Sequence, residues 1–212
     1  MPPLESRVYT HYKSVVCQDM IYTRNLKNIM QLPEIAHCAL NTSSGAVVRE
    51  KTRILAACVA LQTVSMHKSK TTRSRHSIAA FKSRRGSALG CAVKLRGAAL
   101  YCFLDQYVTL VFPRFPAIMG ARVPEKRSLP TGGGDLFSLG QNVAVDRKNW
   151  GMGGENFTSF PELEAHFLMF SPLGGYDCIF CTTSKSASQA AQLLTAFQFP
   201  LKSVPHTRAS LA

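Results

Sequence analysis

Phe81-Lys82-Ser83-Arg84-Arg85-Gly86-Ser87-Ala88-Leu89-Gly90-Cys91-Ala92-Val93-Lys94-Leu95-Arg96-Gly97 is the stretch on which the fold turns. It opens polar and cationic, and Gly86 permits a tight bend, so Lys82-Ser83-Arg84-Arg85-Gly86 reads as a loop or hairpin tip. Residues 90–95 then alternate in hydrophobicity, the period of a strand with one face buried. Past Gly97 the period changes. Leu100, Leu104, Tyr107 and Val111 share one face of a helix expected over residues 98–112, and Pro113 ends it.

The same reading extends outward in both directions. Residues 9–22 form a weak helix. Residues 34–40 read as a strand that stops at the turn cluster Asn41-Thr42-Ser43-Ser44-Gly45. Over residues 48–64, Ile54, Cys58 and Leu61 recur at helical spacing, with Leu55 and Val59 widening the stripe. Residues 68–75 are polar and basic. Downstream, residues 115–150 are irregular, with Pro116, Pro124, Pro130 and the run Gly132-Gly133-Gly134, which suggests a long inserted loop. Residues 157–160 could make a short strand, and residues 176–183 a better one. Ser186 and Gln189 have capping-box spacing ahead of Ala190, Leu193, Leu194 and Phe197, an amphipathic helix stopped at Pro200. Interleaved strands and helices make the class α+β or α/β, with a sheet covered on one face. One domain is expected over residues 1–203, with the insertion at about 116–148 and a tail at 204–212.

The charge is strongly one-sided. The 212 residues carry a formal net charge of +13, which points to a polyanionic partner, nucleic acid before an acidic membrane. Between Glu50 and Asp105 no acid occurs. Lys51, Arg53, Lys68, Lys70, Arg73, Arg75, Lys82, Arg84, Arg85, Lys94 and Arg96 all fall in that interval. A surface kept merely soluble mixes both signs; a one-sign stretch suits a phosphate backbone. No apolar run reaches the roughly 18 residues that span a bilayer.

Chemistry-bearing motifs are missing from the sequence. Gly132-Gly133-Gly134 is not followed by the Gly-Lys-Ser/Thr of a phosphate-binding loop, and the six histidines have no ligand spacing. The one close acid pair, Glu162 and Glu164, sits beside a proline. No enzyme and no cofactor are expected. The seven cysteines are odd in number with mostly apolar neighbours, so reduced, buried thiols are expected. Cys178 and Cys181 have CxxC spacing but lie in an apolar strand, where positions three apart face opposite ways. Packing in the core, with no metal bound, is the expectation there.

The quoted stretch resembles a known family. Its Phe-Lys-x-Arg-x-Gly loop followed by Gly-Cys-x-Val-x-Leu-Arg-Gly is similar to the bacterial and organellar large-subunit ribosomal protein five, the 5S rRNA-binding protein. Three further segments agree in order. Asn28-Ile29-Met30-Gln31-Leu32-Pro33 precedes the first strand, and Phe160-Pro161-Glu162 follows the insertion. The third is Gly175-Tyr176-Asp177, then Thr182-Thr183-Ser184-Lys185-Ser186 and Leu193-Leu194-Thr195-Ala196-Phe197-Gln198-Phe199-Pro200. The likeness covers about residues 7–202. It departs where Lys94 replaces the usual Thr, where Ala92 replaces a basic residue, and in Asn149-Trp150-Gly151-Met152-Gly153, preceded by extra sequence at about 124–140. These departures and the cysteines suggest a mitochondrial ribosome, with a plastid or a bacterium as the alternatives.

What the resemblance implies is an α+β fold, a mostly antiparallel sheet with helices on one face and RNA-facing loops on the other side. It assigns Asn28, Gln31, Lys94 and Arg96, with Lys68 and Lys70 in the neighbouring basic stretch, to 5S rRNA or a substitute rRNA segment. The basic loop at about 73–87, with Arg73, Arg75, Lys82, Arg84 and Arg85, would reach toward P-site tRNA and be mobile when empty. Other large-subunit rRNA, neighbouring large-subunit proteins and a small-subunit head protein would be further partners. Turn and capping chemistry is the plain alternative for Asn28 and Gln31, and an ordinary exposed sheet face for Lys94 and Arg96. A free basic nucleic-acid-binding regulator or RNA chaperone is the alternative for the whole chain.

Overall fold

Five strands pair antiparallel in the order β2-β3-β1-β5-β4: β1 Ile35–Ser43, β2 Lys70–Arg73, β3 Ala88–Leu95, β4 Asn142–Val145 and β5 Asp177–Thr182. The computed structural model describes residues 6–43, 52–80, 83–114, 142–145, 160–170, 173, 176–184 and 186–199. The fold is α+β, as expected.

Pleating sorts the side chains of the central strands. Cys38, Leu40 and Thr42 of β1, Cys91, Val93 and Leu95 of β3, and Cys178, Phe180 and Thr182 of β5 are buried. Their alternates are half-buried or exposed, apart from Gly90, which is buried. All helices therefore compete for one face. Helices α1 (Arg7–His11) and α2 (Cys17–Arg24) are joined through the wider-wound Tyr12–Val16, and bury Tyr12, Val16 and Met20. Helix α4 (Ala98–Gln106) runs on through Tyr107–Val111 and a tight turn at Phe112–Arg114. It buries Leu100, Leu104, Tyr107 and Val111, the face the helical period marks out. Helix α7 (Ala187–Ala196) buries Ala190, Leu193 and Leu194; the Ser186 hydroxyl caps it, accepting the Gln189 backbone N–H at 3.3 Å. The rings of Phe180 and Phe199 meet edge to face at 5.1 Å in the middle of this layer.

Several expectations need correction. Helix α3 (Thr52–Ser65) turns Ala57, Ala60, Leu61 and Val64 inward, while Leu55 is 71% exposed and Val59 44% exposed. Leu61 of the expected stripe is buried and Ile54 and Cys58 pack half-buried against the core, but the small Ala57 and Ala60 complete the inward face and leave the widening residues Leu55 and Val59 off the contact. Asn41, Thr42 and Ser43 continue β1 rather than turning, because each has a partner on β3. Within the polar, basic stretch, Lys70–Arg73 forms an edge strand, so Arg73 belongs to that strand and not to the basic loop. Asn142–Val145, inside the expected insertion, pairs with β5. Phe160 is not in a strand but stands at the N-cap of α5 (Pro161–Glu164), which precedes α6 (Phe167–Phe170). The remaining residues of the insertion and the tail lie outside the described residues.

The cysteines divide differently from the expectation. Cys58 of α3 and Cys91 of β3 form a disulfide, so these two are not free thiols. Cys178 and Cys181 do face opposite ways, Cys178 buried and Cys181 half-buried. The Cys178 sulfur lies 3.4 Å from that of Cys38 on the neighbouring strand. Among the described residues no group of three or more His, Cys, Asp or Glu could hold a metal ion, and no helix is long and apolar enough to cross a membrane.

Buried tyrosines make the fold sensitive to alkali. The Tyr12 hydroxyl donates to the Pro33 carbonyl at 2.9 Å, tying α1 and α2 to the lead-in of β1. Burial pushes the phenols of Tyr12, Tyr107 and Tyr176 up, and that of Tyr101 to about 12. The unfolded chain ionises near pH ~10 and the folded one resists. Protons are thus retained by the folded state, and the stabilisation is whole below about pH 10 and lost above it. Thermal melts should hold steady from about pH 7 to 9 and fall steeply between about pH 10 and 12. Equal melting temperatures at pH ~8 and ~11 would show that these phenols ionise freely.

Candidate nucleic-acid interface

Register decides which polar side chains share the outer face of the sheet. Lys70, Ala92, Asn41 and Asp177 are cross-strand partners in one row, and Lys94, Ala39 and Ile179 form the next. Thr72, Gly90 and Ser43 make a third. Small residues at the centre keep this face low, so Lys70 and Lys94 rise from it, both exposed. Asp177 is the acid that the described strands contribute to these rows. The Cys181 thiol, on the same face, is pushed up by burial and then by Cys38, while the Lys94 ammonium pulls it the other way.

The antiparallel order places the candidate residues at two ends. The start of β1 lies beside the end of β3, since Cys38 pairs with Leu95. Asn28 and Gln31, just before β1, are therefore brought to the same end as Arg96, just after β3. Lys68, just before β2, lies on that side too, because Lys70 pairs with Ala92. All of these are exposed. Asn28 is at the N-cap of the tight turn Ile29–Gln31, its side-chain oxygen accepting the Met30 N–H at 3.0 Å. Capping thus occupies one acceptor and leaves the amide's two N–H donors for a partner. Ile29 and Met30 beside it are 72% and 90% exposed.

The opposite end carries the basic arm between β2 and β3. Backbone hydrogen bonds join its described residues. Ser74 N–H donates to the Ser87 carbonyl at 2.8 Å and Gly86 N–H to the Ser74 carbonyl at 3.0 Å. Ile78 and Ser83 exchange both backbone bonds, at 3.0 and 3.2 Å. Gly86 has φ +84°, a left-handed value that favours glycine, and it closes the bend that sets Arg84 and Arg85 outward. Arg73, Arg75, Arg84 and Arg85 are exposed; Lys82 lies outside the described residues. Among the described residues, none of Lys68, Lys70, Arg73, Arg75, Arg84, Arg85, Lys94 and Arg96 makes an ion pair, whereas Arg7 meets Asp105 and Arg114 meets Glu164.

Asn41 and Thr72, which share the face of Lys70 and Lys94, are not among the candidates that the sequence suggests. Parity along each strand is the available signal, and it carries no information until the register is known.

Fold and charge together define a class: a basic α+β protein with one sheet face filled by helices and exposed cations on and around the other. Known proteins narrow it. Residues 88–201 match the C-terminus of the ribosomal L5 family. The large ribosomal subunit protein uL5 of Nitrosomonas eutropha is 32% identical over 197 residues, 93% of this chain and 99% of the relative. That of Dechloromonas aromatica is 33% identical over the same coverage, and that of Polynucleobacter asymbioticus 31% over 199 residues. The chain belongs to the large ribosomal subunit protein uL5 family, and is a structural constituent of the large ribosomal subunit. These relatives are bacterial, and the expectation of a mitochondrion draws no support from them.

Proposed function

We propose that the protein holds 5S rRNA, or an equivalent rRNA segment, in the central protuberance, and contacts P-site tRNA and a small-subunit head protein. The observation that carries this reading is the set of exposed cations at both ends of the outer sheet face, without an ion pair among the described residues and within a stretch that has no acid of its own. Asn28, Gln31, Lys68, Lys70, Lys94 and Arg96 form the rRNA end. Asn28 and Gln31 supply amide donors for base edges or sugar hydroxyls, and Arg96 offers a planar fork to phosphate. The arm, with Arg73, Arg75, Lys82, Arg84 and Arg85, meets the tRNA. Its relatives favour a bacterial ribosome over an organellar one.

Replacing Lys82, Arg84 and Arg85 together by Ala tests the division. Arg84 and Arg85 are exposed, and long cationic side chains give a core little apolar area, so folding and assembly into the large subunit should stay nearly unchanged. Dissociation of P-site tRNA from ribosomes carrying the variant should speed up, and each lost phosphate contact should lower the salt slope by about one unit. If the variant fails to assemble while surviving particles hold tRNA normally, the arm is an rRNA anchor and the division is wrong. Cosedimentation with large subunits at high salt separates a subunit protein from a free regulator, which would wash off.

A further inference from the structure

Two cysteine pairs lie inside this fold, and they differ in what solvent reaches. Cys38 and Cys178 are fully interior on adjacent strands, and burial pushes the Cys178 thiol up, so its reactive thiolate is scarce. Cys91 is also interior, at 0% exposure, but its partner Cys58, on α3, is half-buried. Their Cα atoms are 5.7 Å apart, the ordinary separation for a bridge. The pair also has a distinctive place. Its bond closes 33 residues of separation, and that loop contains β2 and the entire basic arm. The Ser69 hydroxyl, one residue before β2, donates to the Cys58 carbonyl at 3.1 Å, and the Cys91 sulfur lies 3.7 Å from the Ile54 carbonyl. Helix α3, strand β3 and the start of the edge strand β2 thus converge on this one bond.

We propose that Cys58–Cys91 is a reversible redox staple at the foot of the basic arm, opened by a low-molecular-weight thiol and closed by the corresponding disulfide. In opening, a thiol RSH attacks the sulfur of Cys58, the less buried of the two. The Cys58–R mixed disulfide forms, the bond to Cys91 breaks, and Cys91 takes the proton. A second RSH releases RSSR and leaves both cysteines as thiols. Closing runs the same steps in reverse: the pair is oxidised, RSSR is reduced to two RSH, and both thiol protons leave with them. Closed, the staple holds α3 on β3 and removes freedom from the unfolded chain. Open, β2 keeps its pairing with β3 and the Ser69 contact, without the covalent tie between α3 and β3. The staple belongs to the fold itself and stands whichever RNA the arm meets.

The test uses the full-length protein equilibrated in glutathione buffers from fully reduced to fully oxidised. Free thiols are then alkylated after denaturation and mapped by mass spectrometry. Cys58 and Cys91 should lose their label together as the buffer becomes oxidising, while Cys38 and Cys178 stay labelled. The oxidised protein should melt roughly 5–10 °C higher. Its amides at residues 70–73 should exchange several-fold more slowly. Cys58→Ser should abolish both differences; if that variant does not fold, the labelling of the wild type decides alone. Cys58 and Cys91 fully alkylated in every buffer, or a redox response that maps to Cys38, Cys178 or Cys181, overturns the proposal.

Discussion

Raising the salt from about 50 to about 200 mM should lower the affinity of the isolated protein for RNA by about 10³–10⁵-fold. The cause is the release of ions condensed on the nucleic acid when protein cations replace them. Eleven cations and no acid occur between Glu50 and Asp105. Of these, Lys68, Lys70, Arg73, Arg75, Arg84, Arg85, Lys94 and Arg96 are exposed and make no ion pair among the described residues. A cation already paired within the protein would give up its own carboxylate to bind, and its contribution to the slope would shrink; these have none to give up. Neutralising about six to ten phosphates yields the stated range. Filter binding or fluorescence anisotropy across a salt series measures it. A titration that is flat would mean that stacking and hydrogen bonds dominate, and that the unpaired cations are there for solubility.

Gly90→Ala should destabilise the protein by about 3 kcal/mol, an effect out of proportion to one methyl group. A Cβ built on Gly90 would run into the Thr42 carbonyl oxygen and lie 3.1 Å from the Ser43 Cα. Both atoms are backbone of β1, and Ser43 is the residue paired with Gly90. A side chain could swing aside; a strand held between β3 and β5 cannot, so the two central strands must part at their end. The melting temperature should drop by roughly 6–12 °C for a chain of this size. Gly86→Ala is the control. Nothing lies within 4 Å of its Cβ position, so its cost is the left-handed φ alone, about 1 kcal/mol. A Gly90→Ala protein melting within about 2 °C of wild type would show that the strands can separate cheaply there. The same variant should disturb the outer face, because the β1–β3 register sets Lys94 against Ala39 and puts Asn41 in the row of Ala92 and Lys70.

Local pattern and tertiary arrangement contribute differently to what can be known of this protein. Residues 98–112, 176–183 and the capped helix behind Ser186 are legible because their periods are strong and each is long enough to show one. Charge is legible for the same reason: the absence of acids over residues 51–104 is a property of the chain alone. The ordered motifs from Asn28 to Pro200 suffice for the family. The orientation of helix α3 is legible only in part: Ile54, Cys58 and Leu61 do lie against the core, but Ala57 and Ala60 complete the inward face, and their value lies in how near they let two backbones come. Strands β2 and β4 escape it because a four-residue strand has hardly any period; each exists by virtue of its neighbour's unpaired backbone groups. The Cys58–Cys91 bond escapes it because spacing along a chain does not say which thiols meet. The candidate interface shows the division most clearly. Its cations can be named from sequence, residue by residue, but that they form two groups at opposite ends of one sheet follows only from strand order and register. Both depend on pairings between residues as far apart as Asn41 and Asp177, and no local period carries that information.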